Sequence, residues 1–80
     1  MFIADLAPGV AATVSGFATH AASETVTRFR ALGFVIGTAI EVERKLPFDG
    51  PIVVRLGGAA FAIEPEAARQ VTVLVGEHHK

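Results

Sequence analysis

Two side chains that can bind a metal ion stand four residues apart, His20 and Glu24. On a helix that included both residues, this spacing would place them on one face, where they could supply two ligands to Fe²⁺ or Zn²⁺. Two ligands do not complete a site, and the others would have to come from elsewhere in the chain or from a second molecule. We favour a solvated histidine near a helix start, and the alternative is a small module that binds or senses a divalent transition metal.

A second pair of imidazoles, His78 and His79, lies in the polar segment 76–80. We expect this segment to be a flexible tail, since exposed polar termini are the usual sites of disorder. Metal binding there would be adventitious. The sequence therefore identifies no certain cofactor.

The residues that covalent and phosphate chemistry need are missing or isolated. The chain has no cysteine, and Ser15 and Ser23 lack a nearby histidine and carboxylate in a catalytic pattern. We interpret Ser15 as strand surface and Ser23 as a helix cap. Neither a Walker-type phosphate loop nor a dinucleotide-binding glycine pattern occurs, so we predict that the protein is not an enzyme.

An aromatic residue, Phe48, stands in a turn between Pro47 and Pro51, where turn geometry does not require a large apolar side chain. Such a residue forms either an exposed interaction patch or a cover over one end of the core, and the sequence leaves both open. We expect a partner surface at Pro47, Phe48, Asp49 and Pro51, together with the helix end near Phe34. For Phe34 itself, packing against Phe29 in the core is the favoured alternative.

Length, apolar content and net charge limit the functions that the chain can have. The 80 residues suffice for one domain, 51% of them are apolar, and the formal net charge is −1. A balanced charge does not favour nucleic acid as a partner. No apolar run is long enough to span a bilayer, and the first residues lack the features of a signal peptide, so we expect a cytoplasmic protein without direct membrane insertion. A chain this small and this apolar is also a candidate for self-association.

Short segments with strand periodicity dominate the chain. Val10, Ala12 and Val14 alternate with the small residues Ala11, Thr13 and Ser15, and Ile40 and Val42 alternate with charged residues. Further inward sets are predicted at 52–56 and 61–63, with a last strand at 71–75. Five short strands that are rich in turns favour a small closed barrel over an open sheet.

One segment changes to helical spacing, from Ser23 to Leu32, and Gly33 is suited to end it in a left-handed conformation. Phe34 would then follow Gly33 and pack back on Phe29. Pro65 predicts a short helical turn before the last strand. Structural roles at turns and at the helix end are predicted for Pro8, Gly9, Leu32, Gly33, Gly37 and Gly50.

The order of these segments resembles the FeoA family over about residues 6–75. The matching segments are Leu6-Ala7-Pro8-Gly9, Arg28-Phe29, Leu32-Gly33-Phe34, Gly37-Thr38, Ile40-Glu41-Val42, Pro47-Phe48-Asp49-Gly50-Pro51-Ile52, Glu66-Ala67 and Val71-Thr72-Val73. The resemblance implies a single domain over 1–80 with a mainly β fold. That fold is an SH3-like five-stranded barrel with one α-helix after the first strand and a short helical turn before the last.

The resemblance also implies a role in bacterial ferrous iron uptake. FeoA-like proteins act beside FeoB, a membrane permease with a cytoplasmic GTPase domain. A non-enzymatic accessory protein that binds and modulates this permease, at the cytoplasmic side of the inner membrane, is therefore our first hypothesis. A metal-responsive module and a generic SH3-like adaptor for peptides are the alternatives.

Overall fold

Five strands and two helices account for most of the ordered backbone in the computed structural model, which describes residues 1–76. The elements are β1 (Ala11–Phe17), α1 (Ser23–Leu32), β2 (Ala39–Lys45), β3 (Ile52–Leu56), β4 (Ala59–Ile63), α2 (Pro65–Ala68) and β5 (Val71–Leu74). The strands form one antiparallel sheet in the order β4–β3–β2–β1–β5. This SH3-like, mainly β architecture confirms the predicted fold class and element order. The predicted tail pair His78 and His79 lies outside the described residues.

The alternating residues predicted to face inward form the core. Ile40 and Val42 of β2 and Val54 of β3 are all buried, whereas Glu41 is exposed. Side chains in a strand alternate between two faces, so this pattern requires a sheet with one packed and one solvated face. No charged or polar side chain is buried in the described part of the chain, and the core is held by apolar packing.

Helix α1 ends as the sequence predicts. Gly33 has a φ of 107° and donates its N–H to the Arg30 carbonyl over 3.0 Å. The Phe34 N–H reaches back to the Phe29 carbonyl, also over 3.0 Å, and the two rings pack edge to face at 5.2 Å. This pair of hydrogen bonds with an apolar contact is the Schellman motif, which needs glycine at the left-handed position.

The start of α1 differs from the prediction. Ala22 occupies the N-cap position and no side chain caps the helix, so Ser23 is its first residue and not its cap. The helix start is instead placed by backbone hydrogen bonds, such as that from the Val26 N–H to the Ala22 carbonyl at 3.0 Å.

The hydrogen-bonded ladder does not close into a ring within residues 1–76. Strands β4 and β5 lie at opposite ends of the strand order, so the prediction that closure would remove both edges is wrong in this respect. The segment that joins them forms α2 instead of a hairpin turn, and Ala68 is fully buried against the core.

The residues before β1 lie along the outer side of β5. Phe2 forms an antiparallel bridge with Thr72, and the Val73 N–H donates to the Met1 carbonyl over 2.8 Å. A 3₁₀ turn at Ile3–Asp5 follows, in which the Asp5 carboxylate accepts the Phe2 N–H at 2.9 Å. Neither helix of this part of the chain has the length and apolar character to span a membrane.

Candidate functional site

The hairpin tip, residues 47–51, joins β2 to β3 and carries the predicted partner surface. The Leu46 N–H donates to the Pro51 carbonyl over 3.0 Å, and the Gly50 N–H donates to the Pro47 carbonyl over 3.1 Å. Phe48 and Asp49 have φ values of 60° and 58°, so the two central residues of the turn both lie in the left-handed region. This is the backbone of a type I′ turn, whose twist matches that of the strands that it joins.

The turn is shifted by one residue from Asp49-Gly50, the dipeptide that usually marks the centre of such a hairpin. The central pair is Phe48–Asp49, and Gly50 follows it in an ordinary conformation. Glycine is favoured at 50 because a Cβ there would lie 3.0 Å from the Pro47 carbonyl oxygen and 3.2 Å from the Leu46 Cβ, which is close enough that these neighbours would have to shift. Crowding, and not a positive φ, therefore explains Gly50.

Phe48 projects from this tip with its side chain 99% exposed. The alternative in which Phe48 covers the end of the core is therefore wrong. Pro47 and Asp49 are exposed beside it, and Pro51 is half-buried. The tip thus presents one aromatic ring on a turn that is fixed by two backbone hydrogen bonds.

Phe34 lies away from any surface. Its side chain is 0% exposed and packs edge to face against Phe29 and, at 5.8 Å between ring centroids, against Phe61. The expectation that Phe34 contributes to a partner surface is therefore corrected, and its packing against Phe29 is confirmed. Because the Schellman motif turns the chain back at Gly33, the residue that follows is directed into the core.

A shallow cleft of about 170 Å³ lies behind the hairpin tip, between the tip and α2. Asp49 lines it from the tip, Arg69 lines it from the end of α2, and Lys45 donates from its Nζ to the Ala4 carbonyl over 2.9 Å. Charges of both signs therefore line this cleft, although Phe48 itself does not. Sequence reasoning missed Arg69, because its 20 residues of separation from Asp49 leave no local signal.

The remaining charges of the hairpin form an exposed pair. Arg55 Nη2 and Glu43 Oε2 lie 3.1 Å apart, with both side chains nearly half exposed. The register of β2 and β3 shifts between Val42 and Arg44, and this bulge places Glu43 outside the regular pairing. An exposed pair of this kind contributes little to stability, so the charged stretch of β2 is a solvated face.

The structure does not bring together the residues of the metal hypothesis. His20 lies in a turn before α1 and Glu24 lies in its first turn, so they do not share a helix face, and both are exposed. Within residues 1–76, no three histidine, aspartate or glutamate side chains are grouped as metal ligands would be. The pairing expected from an early helix start is therefore not formed, because the helix begins only at Ser23.

Several other large apolar side chains reach the surface. They are Met1, Leu32, Val35, Ile36, Leu74 and Val75. Ile36 is 73% exposed and occupies a turn that is closed by the hydrogen bond from the Thr38 N–H to the Val35 carbonyl at 3.0 Å. It is therefore a matched comparison for Phe48, with a similar apolar size and a similar place in a turn.

Comparison with known proteins identifies a matching protein family and several solved structures with a similar fold. The FeoA domain family matches residues 1–75 of the chain. Zinc-complexed FeoA of Stenotrophomonas maltophilia is 31% identical, with a TM-score of 0.79, over 91% of this chain and 88% of that one. It is described as a prokaryotic SH3 domain protein and a candidate activating factor of ferrous iron transport.

Other solved structures agree. A FeoA protein of Chlorobium tepidum is 28% identical with a TM-score of 0.87, over 100% of this chain and 74% of that one. An iron uptake regulatory protein, also FeoA, is 26% identical with a TM-score of 0.81, over 92% and 95%. A manganese-dependent transcriptional repressor, at 19% identity and a TM-score of 0.82 over 96% of this chain and 41% of that one, shares the fold alone. No curated protein matches the chain.

Proposed function

This chain belongs to the FeoA family of non-enzymatic accessory domains of ferrous iron transport, and from this premise we propose that it binds and modulates a FeoB-type permease. The contact would be made by the hairpin tip on the cytoplasmic part of the permease, so the protein would act in the cytoplasm, peripheral to the inner membrane.

One observation carries the proposal: the 99% exposure of Phe48 on a turn with a φ of 60°. A bulky residue in the left-handed region costs about 1–2 kcal/mol relative to an ordinary conformation. Strain of this kind is concentrated at functional sites. In the free protein the ring gains no burial in return, whereas a partner pocket that enclosed it would contribute about 1.5–3 kcal/mol.

The mixed charges of the cleft behind the hairpin tip support a specific contact. Asp49 lies next to Phe48, and Arg69 and Lys45 lie across the small cleft behind it. An aromatic anchor with a polar rim is the usual arrangement at the centre of a protein interface. The tip therefore offers both an anchor and charges that could orient it.

The test is the affinity of this protein for the purified cytoplasmic domain of the FeoB-type permease from the same cell, measured by isothermal titration calorimetry. Phe48→Ser removes the ring, and we expect a loss of affinity of roughly 10–100-fold, which is the burial free energy of one phenylalanine expressed as a ratio.

Ile36→Ser is the matched control, since it also replaces an exposed apolar residue in a turn, and it should leave the affinity within about twofold. Equal losses for both variants would contradict the hairpin tip as the contact. Absence of any binding by the unaltered protein would contradict the proposed function.

Isothermal titration calorimetry also tests the alternative, in which the protein is a metal-binding module. Fe²⁺ and Zn²⁺ are titrated into the protein under reducing conditions, with His20 intact and as His20→Ala. Micromolar binding that is lost in the variant would favour the metal module, and permease binding that is unaffected by His20→Ala would favour the accessory role.

A further inference from the structure

The two edge strands of the sheet, β5 and β4, differ in whether other backbone covers their outer side. The outer side of β5 is covered by the first residues of the chain, through the Phe2–Thr72 bridge and the Val73-to-Met1 hydrogen bond. The outer side of β4 has no such cover, since Ala59–Ile63 pair only with β3 within residues 1–76. Every second residue of an antiparallel edge strand directs its N–H and C=O away from its neighbour. Strand β4 therefore carries backbone donors and acceptors without a backbone partner.

Strand β4 also lacks the devices that usually protect an edge. Charged side chains, prolines or bulges usually prevent an edge strand from pairing with another chain. The sequence of β4 is Ala59-Ala60-Phe61-Ala62-Ile63, without charge or proline, and its five pairs with β3 run in continuous register. The strand is thus regular and accessible to an added strand.

An apolar cleft of about 210 Å³ lies beside this edge, between α1 and the end of β4. We call it the α1–β4 cleft. Its apolar lining comes from Phe29, Leu32, Ala62, Ile63 and Ala67. Side-chain pockets next to an open strand edge are the two parts of a β-addition site, in which backbone hydrogen bonds give affinity and the pockets give specificity.

Charge at the rim indicates what the cleft would accept. Arg28 lines it from α1 and Glu64 lines it from the end of β4. The one ion pair in the described residues is Glu43–Arg55, so neither rim charge has an opposite charge within 4.0 Å there. An acidic side chain on a ligand would be attracted at the α1 wall and repelled at the β4 end, which would fix the direction of the ligand.

A second copy of this chain fits the site less well. Stable dimers bury about 1,200–2,000 Å² in total, and the alanine side chains along β4 contribute little area. If two β4 strands paired antiparallel about Phe61, each Glu64 would lie opposite Gly58 of the other chain, at the far end from Arg28. Pairing of two copies would therefore leave Arg28 without a carboxylate.

We propose that β4 and the α1–β4 cleft bind an extended peptide segment that carries an apolar residue and, two positions further on and so on the same face of the strand, an acidic residue. The peptide adds a sixth strand to the sheet at β4, its apolar side chain enters the cleft, and its carboxylate pairs with Arg28. This site is separate from the hairpin tip, and the proposal does not depend on the proposed function.

The probe is a capped hexapeptide of valine and threonine that carries a leucine and, two residues further on, a glutamate. It is titrated into ¹⁵N-labelled protein and followed by amide chemical shifts. We expect shifts at Ala59–Ile63 and along α1 near Arg28 and Leu32. The same peptide N-methylated at alternate amides should bind at least tenfold more weakly, because it cannot pair with the edge.

Charge reversal tests the role of Arg28. Replacement of the peptide glutamate by lysine should weaken binding about fivefold, and Arg28→Glu should restore the lysine peptide while it weakens the glutamate peptide. Arg30→Glu is the control, since Arg30 lies on the same helix with its guanidinium 5.7 Å from the centre of the Phe17 ring, and it does not line the cleft.

Three results would overturn the proposal. Shifts confined to residues 47–51 would place the peptide at the hairpin tip. Equal binding of the methylated and unmethylated peptides would exclude strand addition. Shifts at β4 that depend on protein concentration without peptide would assign the edge to a second copy of the chain. The permease takes no part in these experiments, so none of the outcomes depends on permease binding.

Discussion

At the scale of single residues, Phe48 combines full exposure with a backbone conformation that its side chain disfavours. Its neighbour Asp49 shares that conformation, but aspartate and asparagine tolerate the left-handed region because their short polar side chains bond locally. The strain in the turn is therefore concentrated at Phe48. A residue selected only for folding at this position would be asparagine or glycine.

The first stability prediction follows from this strain. Phe48→Asn should raise the free energy of unfolding by about 0.5–1 kcal/mol, because asparagine is suited to the first central position of a type I′ turn. Urea denaturation measures the change. Phe48→Ala keeps a Cβ in the same strained backbone and should stay within about 0.5 kcal/mol of the parent. A loss of stability in Phe48→Asn would contradict the left-handed assignment at 48.

The residue scale also marks where sequence reasoning reached its limit. The apolar residue among prolines was visible in the sequence, and its place in a turn was predicted correctly. The sequence left open whether Phe48 was exposed, since that depends on the direction of the turn. The helix end near Phe34 was included in the predicted partner surface, although core packing was favoured for Phe34 itself, and the Schellman motif does turn its ring inward.

At the scale of elements, the end of α1 is the best determined feature. Gly33 combines a φ of 107° with a close approach, since a Cβ at 33 would lie 3.3 Å from Leu56 Cδ2. Both conditions favour glycine, and together they fix the point where the chain leaves the helix and enters the core.

Gly33→Ala tests this element. We expect a loss of about 1–2 kcal/mol in the free energy of unfolding, because alanine is strained at positive φ. For a domain of this size, that loss lowers the melting temperature by roughly 5–15 °C. Circular dichroism during heating measures the shift.

Gly58→Ala provides the comparison. Gly58 has no positive φ, and a Cβ there would meet nothing within 4 Å. This variant should melt within about 3 °C of the parent. Equal destabilisation at both glycines would mean that the conformation at Gly33 is not what determines the end of the helix.

The sequence predicted the strands and helices better than the details of how the strands pair. Periodicity located the strands and α1, because a packed face imposes its spacing on the sequence. The bulges at Ser15 in β1 and at Glu43 in β2 were not anticipated, since a bulge depends on the partner strand. Closure of the strand pairing was predicted but is not formed, because pairing between β4 and β5 depends on contacts distant in sequence.

At the scale of the whole molecule, one apolar core supports the entire domain. Cysteine is absent from the chain, and no polar side chain is buried within residues 1–76, so neither disulfides nor buried polar networks assist the packing. An 80-residue domain has a stability of roughly 4–12 kcal/mol at ordinary values per residue. The free energy lost through a single large defect in the core is therefore comparable with the total free energy of unfolding.

Phe34→Ala tests how strongly the stability of the domain depends on this core. Truncation of a fully buried phenylalanine costs about 3–5 kcal/mol, so we expect a strongly lowered urea midpoint or a chain that is unfolded without denaturant. The same change at the exposed Phe48 should leave the midpoint nearly unaltered. If Phe34→Ala were as stable as Phe48→Ala, the burial of Phe34 and the core described above would be incorrect.

The strand order has a consequence for synthesis. The first strand, β1, lies between β2 and β5, and the Ser15 hydroxyl bonds the Thr72 hydroxyl across 57 residues of chain. While a nascent chain is on the ribosome, its most recently added residues are still enclosed in the exit tunnel, so β5 emerges last. Until then β1 has one unpaired side, and Val71 and Val73 are missing from the core. Folding of this domain is therefore completed only after β5 has left the tunnel, and a product truncated before Val71 lacks part of the core and would be cleared by the cell's proteases.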